Sequence, residues 1–161
     1  MMTAPLVYSD DVVAFARRFL FVREAGANAG QRVEAIQRWC GGMKGDSWCC
    51  YFATMVLDIV FQGQSPVPRN GVCQNVYELA KQKGWVTNTP HVGDFYLYVN
   101  EADHAHHIGF VTGVNPLTGI SGNTSSDGTS NNGDGVHEHA ISAHVFIHYD
   151  RADSLAGIGG G

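Results

Sequence analysis

The chain has 161 residues, of which 44% are hydrophobic and 16% are charged, and its formal net charge at pH 7 is −5. This length and apolar content predict one globular domain and exclude a largely disordered chain. The acidic balance, with no cluster of Lys and Arg, argues against a nucleic-acid-binding protein. The apolar runs are too short to span a bilayer, and residues 1–11 lack the basic start and apolar core of a signal peptide. We therefore expect synthesis in the cytoplasm without a signal peptide.

Four helices are predicted in the N-terminal half of the chain, from apolar residues at helical spacing and from polar residues that suit helix starts. They cover residues 10–25, 31–39, 48–62 and 72–83. The loop that precedes the third helix ends in Asp46 and Ser47, and either residue is a suitable N-cap.

After Pro90 the pattern changes to short segments rich in aromatic and β-branched residues, with turn residues between them. The predicted strands cover residues 94–100, 106–114, 119–122, 135–141 and 143–150. Helices followed by strands indicate an α+β domain, with N-terminal helices packed on a five- to six-stranded antiparallel sheet. We expect this single domain to span residues 1–152 and residues 153–161 to form a flexible Gly-rich tail.

The four cysteines are Cys40, Cys49, Cys50 and Cys73. None forms a C-x-x-C pair, which excludes a zinc ribbon or a thioredoxin motif. Cys49 and Cys50 are adjacent and cannot easily bridge each other, and without an export signal we expect reduced thiols. Cys40 and Cys73 are expected to be buried thiols, although their spacing also allows a disulfide.

Cys49 is predicted in the first turn of the third helix, where backbone N–H groups and the helix dipole stabilise a thiolate. Helix N-termini are a common setting for nucleophilic cysteines. A helical wheel places Cys49 nearly opposite the polar positions Tyr51 and Thr54, and therefore toward the sheet. Cys50 is expected to be a small buried residue. A plain core cysteine is the alternative interpretation of Cys49.

A thiol nucleophile needs a base, and His107 begins a short predicted strand that would hold an imidazole rigidly. Gly109 follows two residues later on the same face and allows close approach of another element. Asn123, at the end of the next strand, is the candidate to orient the second imidazole nitrogen. The alternative for Asn123 is a turn residue before a polar loop.

Four blocks of the sequence together form a recognisable pattern, namely W-C-C-Y-F-A at 48–53, P-H-V-G-D-F at 90–95, H-I-G-F-V at 107–111 and G-N-T at 122–124. They resemble the CHAP family, the cysteine- and histidine-dependent amidohydrolases/peptidases of the papain-like superfamily. The corresponding blocks of the family are W-C-a-a-F-v, P-x-x-G-D-hydrophobic, H-V-G-I-V and G-N-t. The blocks occur in the family order over roughly residues 10–150, which makes the match more specific than any single block.

The resemblance implies a papain-like fold with Cys49 as nucleophile, His107 as general base and Asn123 as orienting residue. It also implies hydrolysis of an amide bond in peptidoglycan, as an N-acetylmuramoyl-L-alanine amidase or an endopeptidase, through a thioester acyl-enzyme. The expected partner is the bacterial cell wall, with an additional wall-binding module in a phage lysin or virion-associated enzyme that acts after release. Many members carry an acidic residue where this chain has Ser121, so the orienting residue stays open between Ser121 and Asn123.

Metals give a competing hypothesis, because His104, His106 and His107 cluster and His137 and His139 form a pair. Zinc amidases act on the same substrate class, but the sequence has no compact ligand signature such as H-E-x-x-H. We therefore expect no cofactor, with calcium as the remaining alternative. The loop 127–134 offers oxygen ligands but lacks EF-hand spacing, and a solvated loop is the favoured interpretation.

Two further alternatives concern what the fold acts on. One is a papain-like effector hydrolase with a protein substrate, and the other is a non-catalytic module that binds the wall. Asp94 is expected to support the turn before its strand rather than to take part in catalysis.

Overall fold

The computed structural model describes residues 5–125 and 133–153. It is an α+β structure with four helices and a six-stranded antiparallel sheet in the described residues, which confirms the predicted class. The helices are α1 (Ser9–Arg17), α2 (Gln31–Trp39), α3 (Cys49–Val60) and α4 (Cys73–Lys83). The strands are β1 (Val86–Thr87), β2 (Phe95–Val99), β3 (Ala105–Val114), β4 (Leu117–Thr124), β5 (Gly135–Ala140) and β6 (Val145–Ile147).

The strand order in the sheet is β1-β6-β2-β3-β4-β5, so the last strand of the chain lies between the first two. β2 pairs with both β6 and β3, and His107 on β3 lies directly opposite Tyr98 on β2. β1 has only two residues and was not predicted, because a strand this short leaves no alternation in the sequence. Of the predicted strand 143–150, only Val145–Ile147 pairs in the sheet.

The main hydrophobic core lies between the helices and one face of the sheet. The sheet contributes buried residues that alternate along β2, β3 and β4, namely Phe95, Leu97, Ile108, Phe110 and Ile120. α3 packs on both β3 and β4, so the longest helix lies over the centre of the sheet. A smaller cluster contains Tyr96, Val111, Ile141, Ala143 and Phe146.

The first helix is eight residues shorter at its C-terminal end than the predicted range 10–25, because the chain leaves it to pair with β5. Arg23 forms an isolated bridge with Gly135. The Glu24 N–H donates to Asp134 O at 2.7 Å, and the Val136 N–H donates to Val22 O at 3.1 Å. Satisfied backbone bonds to a distant strand therefore replace the helical bonds that local spacing favoured.

The start of α3 also differs from the prediction, since neither Asp46 nor Ser47 is its N-cap. The N-cap is Trp48, which provides no side-chain cap. Asp46 instead accepts from the Met43 N–H at 2.9 Å and from the Tyr51 hydroxyl at 2.8 Å. These two hydrogen bonds lower the pKa of Asp46. The acidic side chain thus closes the preceding turn rather than capping the helix.

The C-terminal segment is attached to α1. The Ser9 N–H donates to Asp153 Oδ1 at 3.2 Å, and the Ala152 N–H donates to Val7 O at 2.7 Å. Asp153, the first residue of the predicted tail, accepts the bond from Ser9, and residues 154–161 lie outside the described residues, so the flexible tail stays a prediction. No helix in the described ranges is long and apolar enough to cross a membrane.

Candidate active site

Cys49 is the first residue of α3, as the sequence predicted to within one residue. Its side chain is buried, with 3% of the residue exposed. Cys50, next to it, is fully buried in the same core, as expected for a small core residue. The spacing of apolar residues was enough to predict both the place of Cys49 at the start of the helix and the burial of Cys50. The polar face proposed for this helix is less polar than expected, because Thr54 is fully buried and donates to Cys50 O at 2.9 Å.

His107 lies near the start of β3 and is fully buried. The distance from its Nε2 to Ser121 Oγ on β4 is 3.0 Å. The Tyr98 ring stacks on the imidazole at a centroid distance of 5.6 Å and an interplanar angle of 22°. Tyr96 lies on the same face, with its ring centroid 6.1 Å from the imidazole. The contact with Ser121 and the two aromatic rings together fix the orientation of the imidazole.

Gly109 makes the contact between His107 and Ser121 possible. A Cβ atom at Gly109 would lie 2.7 Å from Ser121 Cβ and 2.5 Å from a ring carbon of Tyr96. Both distances are far below ordinary van der Waals contact. The absence of a side chain at this position therefore lets β4 and the tyrosine approach the imidazole, as the sequence suggested.

Asn123 does not contact His107 among the described residues, although residues 121 and 123 would share a face in a regular strand. Asn123 has a φ of 55°, which breaks this alternation. Its amide lies 2.9 Å from Ser47 Oγ. The structure thus gives the orienting contact to Ser121, the alternative that the sequence left open. A catalytic role for Asn123 stays a prediction.

The amide of Asn123 joins a network around the start of α3. When its oxygen accepts from Ser47, its nitrogen donates to Glu24 Oε1 at 3.3 Å and to Gly133 O at 3.2 Å. The same Glu24 oxygen accepts from Nε1 of the fully buried Trp48 at 2.8 Å. Glu24 therefore connects Trp48, the residue before Cys49, to the end of β4. Its role was not predicted, because the sequence placed it inside a helix.

A third cysteine, Cys73, lies beside Cys49. The two sulfur atoms are 3.7 Å apart, and Cys73 is the first residue of α4. All four cysteines are free thiols. Cys40, which the sequence allowed as a partner of Cys73, is half-buried and contacts Tyr51 O and Thr54 instead.

The pKa of the Cys49 thiol is raised well above its usual value. The hydrogen bond with Cys73 is the largest cause, followed by burial, whereas the nearby His107 side chain lowers the pKa. Together these effects favour the neutral thiol, against the thiolate that the helix position predicted. The contact with Cys73 and burial outweigh the opposing effect of the imidazole.

Two side chains thus compete for the Cys49 thiol. His107 is near enough to influence its pKa, yet His107 Nδ1 is a buried nitrogen without a hydrogen-bond partner among the described residues. The thiol contacts Cys73 instead. A shift of the Cys49 side chain from one neighbour to the other would give Nδ1 its missing partner and place the thiol on the base.

The histidines considered as zinc ligands have separate surroundings. His107 contacts Ser121, His137 Nε2 lies 2.8 Å from Asp134 Oδ1, and His139 Nδ1 lies 3.0 Å from Ala140 O. His104 and His106 are exposed. The calcium-binding alternative concerned residues 127–134, of which 127–132 lie outside the described residues.

Within the described ranges, a cluster that is suited to a metal ion by its ligand types contains His91, Asp94 and His148. Asp94 is fully buried, and Arg151 Nη2 donates to its Oδ1 at 2.8 Å. His148 Nδ1 lies 2.6 Å from the same oxygen, and the backbone N–H of His91 donates to Oδ2 at 2.9 Å. These contacts occupy most of the acceptor capacity of the carboxylate, and the guanidinium supplies the positive charge that a cation would bring. We interpret the cluster as a structural network, and its bond to His91 confirms the turn predicted for Asp94.

Comparisons of the chain with protein-family models, with curated proteins and with solved structures gave no significant match.

Proposed function

We propose that this chain is a cysteine-dependent hydrolase of the CHAP type, with a papain-like fold, that cleaves an amide bond in peptidoglycan. The observation that carries the proposal is the position of Cys49 at the start of α3, next to a buried His107 whose Nε2 is held by Ser121. Nucleophile, base and orienting group in this order are the arrangement that thiol hydrolases require.

The reaction begins with transfer of the Cys49 proton to His107 Nδ1, the imidazole nitrogen that has no other partner. Because the raised pKa of Cys49 favours the neutral thiol, this transfer accompanies attack of the sulfur on the amide carbonyl carbon, so His107 acts as a general base. Ser121 on Nε2 keeps the tautomer and ring orientation that accept the proton.

The attack gives a tetrahedral oxyanion. Backbone N–H groups in the first turn of α3 are suited to bind it, since Trp48 does not cap them with its side chain. Collapse of the intermediate breaks the C–N bond, and His107 returns its proton to the leaving amine. Water activated by His107 then hydrolyses the thioester and restores the Cys49 thiol.

The substrate class depends on the sequence resemblance rather than on the geometry. The blocks around Cys49, Asp94, His107 and Asn123 support a wall substrate, with either the sugar-to-peptide amide or a peptide bond of the stem or cross-bridge as the target. In this proposal the enzyme acts on the wall after release from the cell that makes it, alone or beside a wall-binding module.

The test is mass spectrometry of purified peptidoglycan from Gram-negative and Gram-positive cells, incubated with the wild-type chain and with Cys49→Ala. We expect soluble fragments from the wild type alone, and their new ends identify the bond. Cys40→Ala is the matched control, since it also removes one free thiol but lies on Tyr51 and Thr54 instead of the site.

Two results would contradict the proposal. Equal release by wild type and Cys49→Ala would show that Cys49 is not the nucleophile. No release from any wall by a folded wild-type chain would exclude peptidoglycan and leave a protein substrate or a binding module. His107→Ala should abolish release as completely as Cys49→Ala.

A further inference from the structure

Three thiols converge where the N-terminal ends of α3 and α4 meet. Cys49 Sγ and Cys73 Sγ are 3.7 Å apart, and Cys50 also interacts with the Cys73 side chain. All three residues are buried. Cys49 and Cys73 are 24 positions apart in the sequence, so the fold creates this pair.

The mechanism above uses Cys49 but has no role for Cys73. The contact with Cys49 lowers the pKa of the Cys73 thiol, but Cys50 and burial raise it further, so the neutral thiol is favoured. A second thiol within contact of a proposed nucleophile is nevertheless the arrangement that traps an oxidised cysteine as a disulfide.

We propose that Cys49 and Cys73 form a reversible disulfide when the protein meets a small peroxide, and that this bond removes the nucleophile. The first half of the proposal rests on the two sulfur positions alone. The second half, loss of activity, rests on the proposed function. The sulfur atoms must approach by about 1.7 Å to reach the disulfide bond length of about 2.05 Å, a distance within reach of side-chain rotation.

The chemistry balances in two steps. The Cys49 thiolate attacks one oxygen of hydrogen peroxide, the O–O bond breaks, and Cys49 sulfenic acid and hydroxide form; the hydroxide takes up the proton that the thiol had lost, giving water. The Cys73 sulfur then attacks the sulfenic sulfur, the S–O bond breaks, and a second water leaves with the Cys73 proton. Overall, two thiols are oxidised to one disulfide and one peroxide is reduced to two waters.

Cys73 is a better partner for Cys49 than either of the other cysteines. A bond between the adjacent Cys49 and Cys50 would close a strained ring within the first turn of α3, where both residues have helical backbone. Cys40 contacts other groups, with its sulfur 3.4 Å from Tyr51 O and 3.7 Å from Thr54 Oγ1.

The burial of Cys49 and Cys73 favours a small oxidant. Only 3% of Cys49 and 7% of Cys73 are exposed. Hydrogen peroxide is close to water in size, so it can reach thiols that are almost closed to solvent.

The experiment treats the full chain with graded hydrogen peroxide and measures its intact mass, then maps peptides without reduction. We expect a mass decrease of two hydrogen atoms, a cross-linked peptide pair that contains Cys49 and Cys73, and full reversal by dithiothreitol. Cys50→Ala should still cross-link, which assigns the bond to Cys49. In Cys73→Ala the bond is absent, and Cys49 instead gains oxygen atoms that dithiothreitol does not remove.

Oxygen addition to Cys49 without a mass decrease in the wild type would overturn the proposal, and so would a cross-link from Cys73 to Cys50 alone. Both results come from the wild-type chain and do not depend on whether a variant folds.

Wall hydrolysis is measured separately on the reduced and oxidised protein. If the disulfide forms but the reduced chain never releases wall fragments, the proposed function is wrong, whereas the inferred disulfide between Cys49 and Cys73 still holds. If the reduced chain is active and the disulfide form equally active, the inactivation half of the proposal is wrong.

Discussion

Replacing Cys73 with Ala should make Cys49 more reactive at neutral pH. The contact with Cys73 is the largest of the effects that raise the pKa of the Cys49 thiol, while His107 lowers it. Removing that contact leaves the imidazole as the close polar neighbour, so the pKa falls. At any pH below the pKa, a lower pKa means a larger thiolate fraction and faster alkylation.

The expected size of the effect follows from the single contact that is lost. An ordinary hydrogen bond contributes about 1 kcal/mol, which corresponds to about a fivefold change in the thiolate fraction. We therefore expect alkylation of Cys49 by iodoacetamide near pH 7 to be about fivefold faster in Cys73→Ala than in the wild type. At alkaline pH, where the thiolate predominates in both proteins, the two rates should converge.

The assay follows alkylation of the Cys49 peptide by mass spectrometry from about pH 6 up to the highest pH at which the chain stays folded, because the pKa of Cys49 lies well above the ordinary thiol value. Cys40→Ala is the control, because Cys40 does not contact the pair. Hydrogen exchange of the α3 backbone should be equal in all three proteins, which separates a change in pKa from a change in access. If the pH profile of Cys49 alkylation in Cys73→Ala is unchanged or moves to higher pH, our assignment of Cys73 as the group that raises the pKa of Cys49 is wrong.

The raised pKa of Cys49 also makes the free energy of unfolding depend on pH. A thiol whose pKa is higher in the folded than in the unfolded protein stabilises the fold below the unfolded pKa, and this stabilisation is lost as the pH rises through the folded value. The wild type should therefore lose stability at alkaline pH more steeply than Cys73→Ala does. Urea unfolding at neutral and alkaline pH measures the difference between the two slopes.

Ser121→Ala should remove the partner of the buried imidazole, lower the free energy of unfolding by about 1–3 kcal/mol and slow wall hydrolysis, whereas Asn123→Ala should leave the imidazole contact intact. A larger loss of turnover in Asn123→Ala, at matched stability, would return the orienting role to Asn123. Gly109→Ala should cost about 1–3 kcal/mol in urea unfolding because its Cβ overlaps Ser121 and a tyrosine ring, and an unchanged midpoint would contradict this packing. Arg151→Met should destabilise by about 3–5 kcal/mol by removing the guanidinium from the buried Asp94 carboxylate, which then keeps His148 and the His91 N–H, and adding Asp94→Asn should recover part of that loss.

The parts of the fold that local periodicity determines were predictable. α2, α3 and α4 lie within two residues of their predicted ends, and Cys49 is at the start of its helix. Where a distant segment decides the structure, local spacing failed. α1 ends early because residues 22–24 bond to residues 134–136, and no property of residues 18–25 alone indicates that partner.

The site shows the same division. His107 and Gly109 share one strand, so their common face could be read from alternation. Asn123 lies where alternation would direct it to the imidazole, but its positive φ directs it to Ser47. The meeting of Cys49 with Cys73, and the resulting rise in the thiol pKa, depends on how two helices pack, which neither segment reveals by itself.

The position of β6 has a consequence for synthesis on the ribosome. Residues 145–147 fill the space between β1 and β2, so β2 has an unpaired edge at Phe95–Leu97 until nearly the whole described chain has emerged. An open edge of aromatic and aliphatic residues is a template for pairing between nascent chains. A truncation that removes residues 145–147 would make this exposure permanent, so we expect it to raise the insoluble fraction on expression although these residues lie far in sequence from α3.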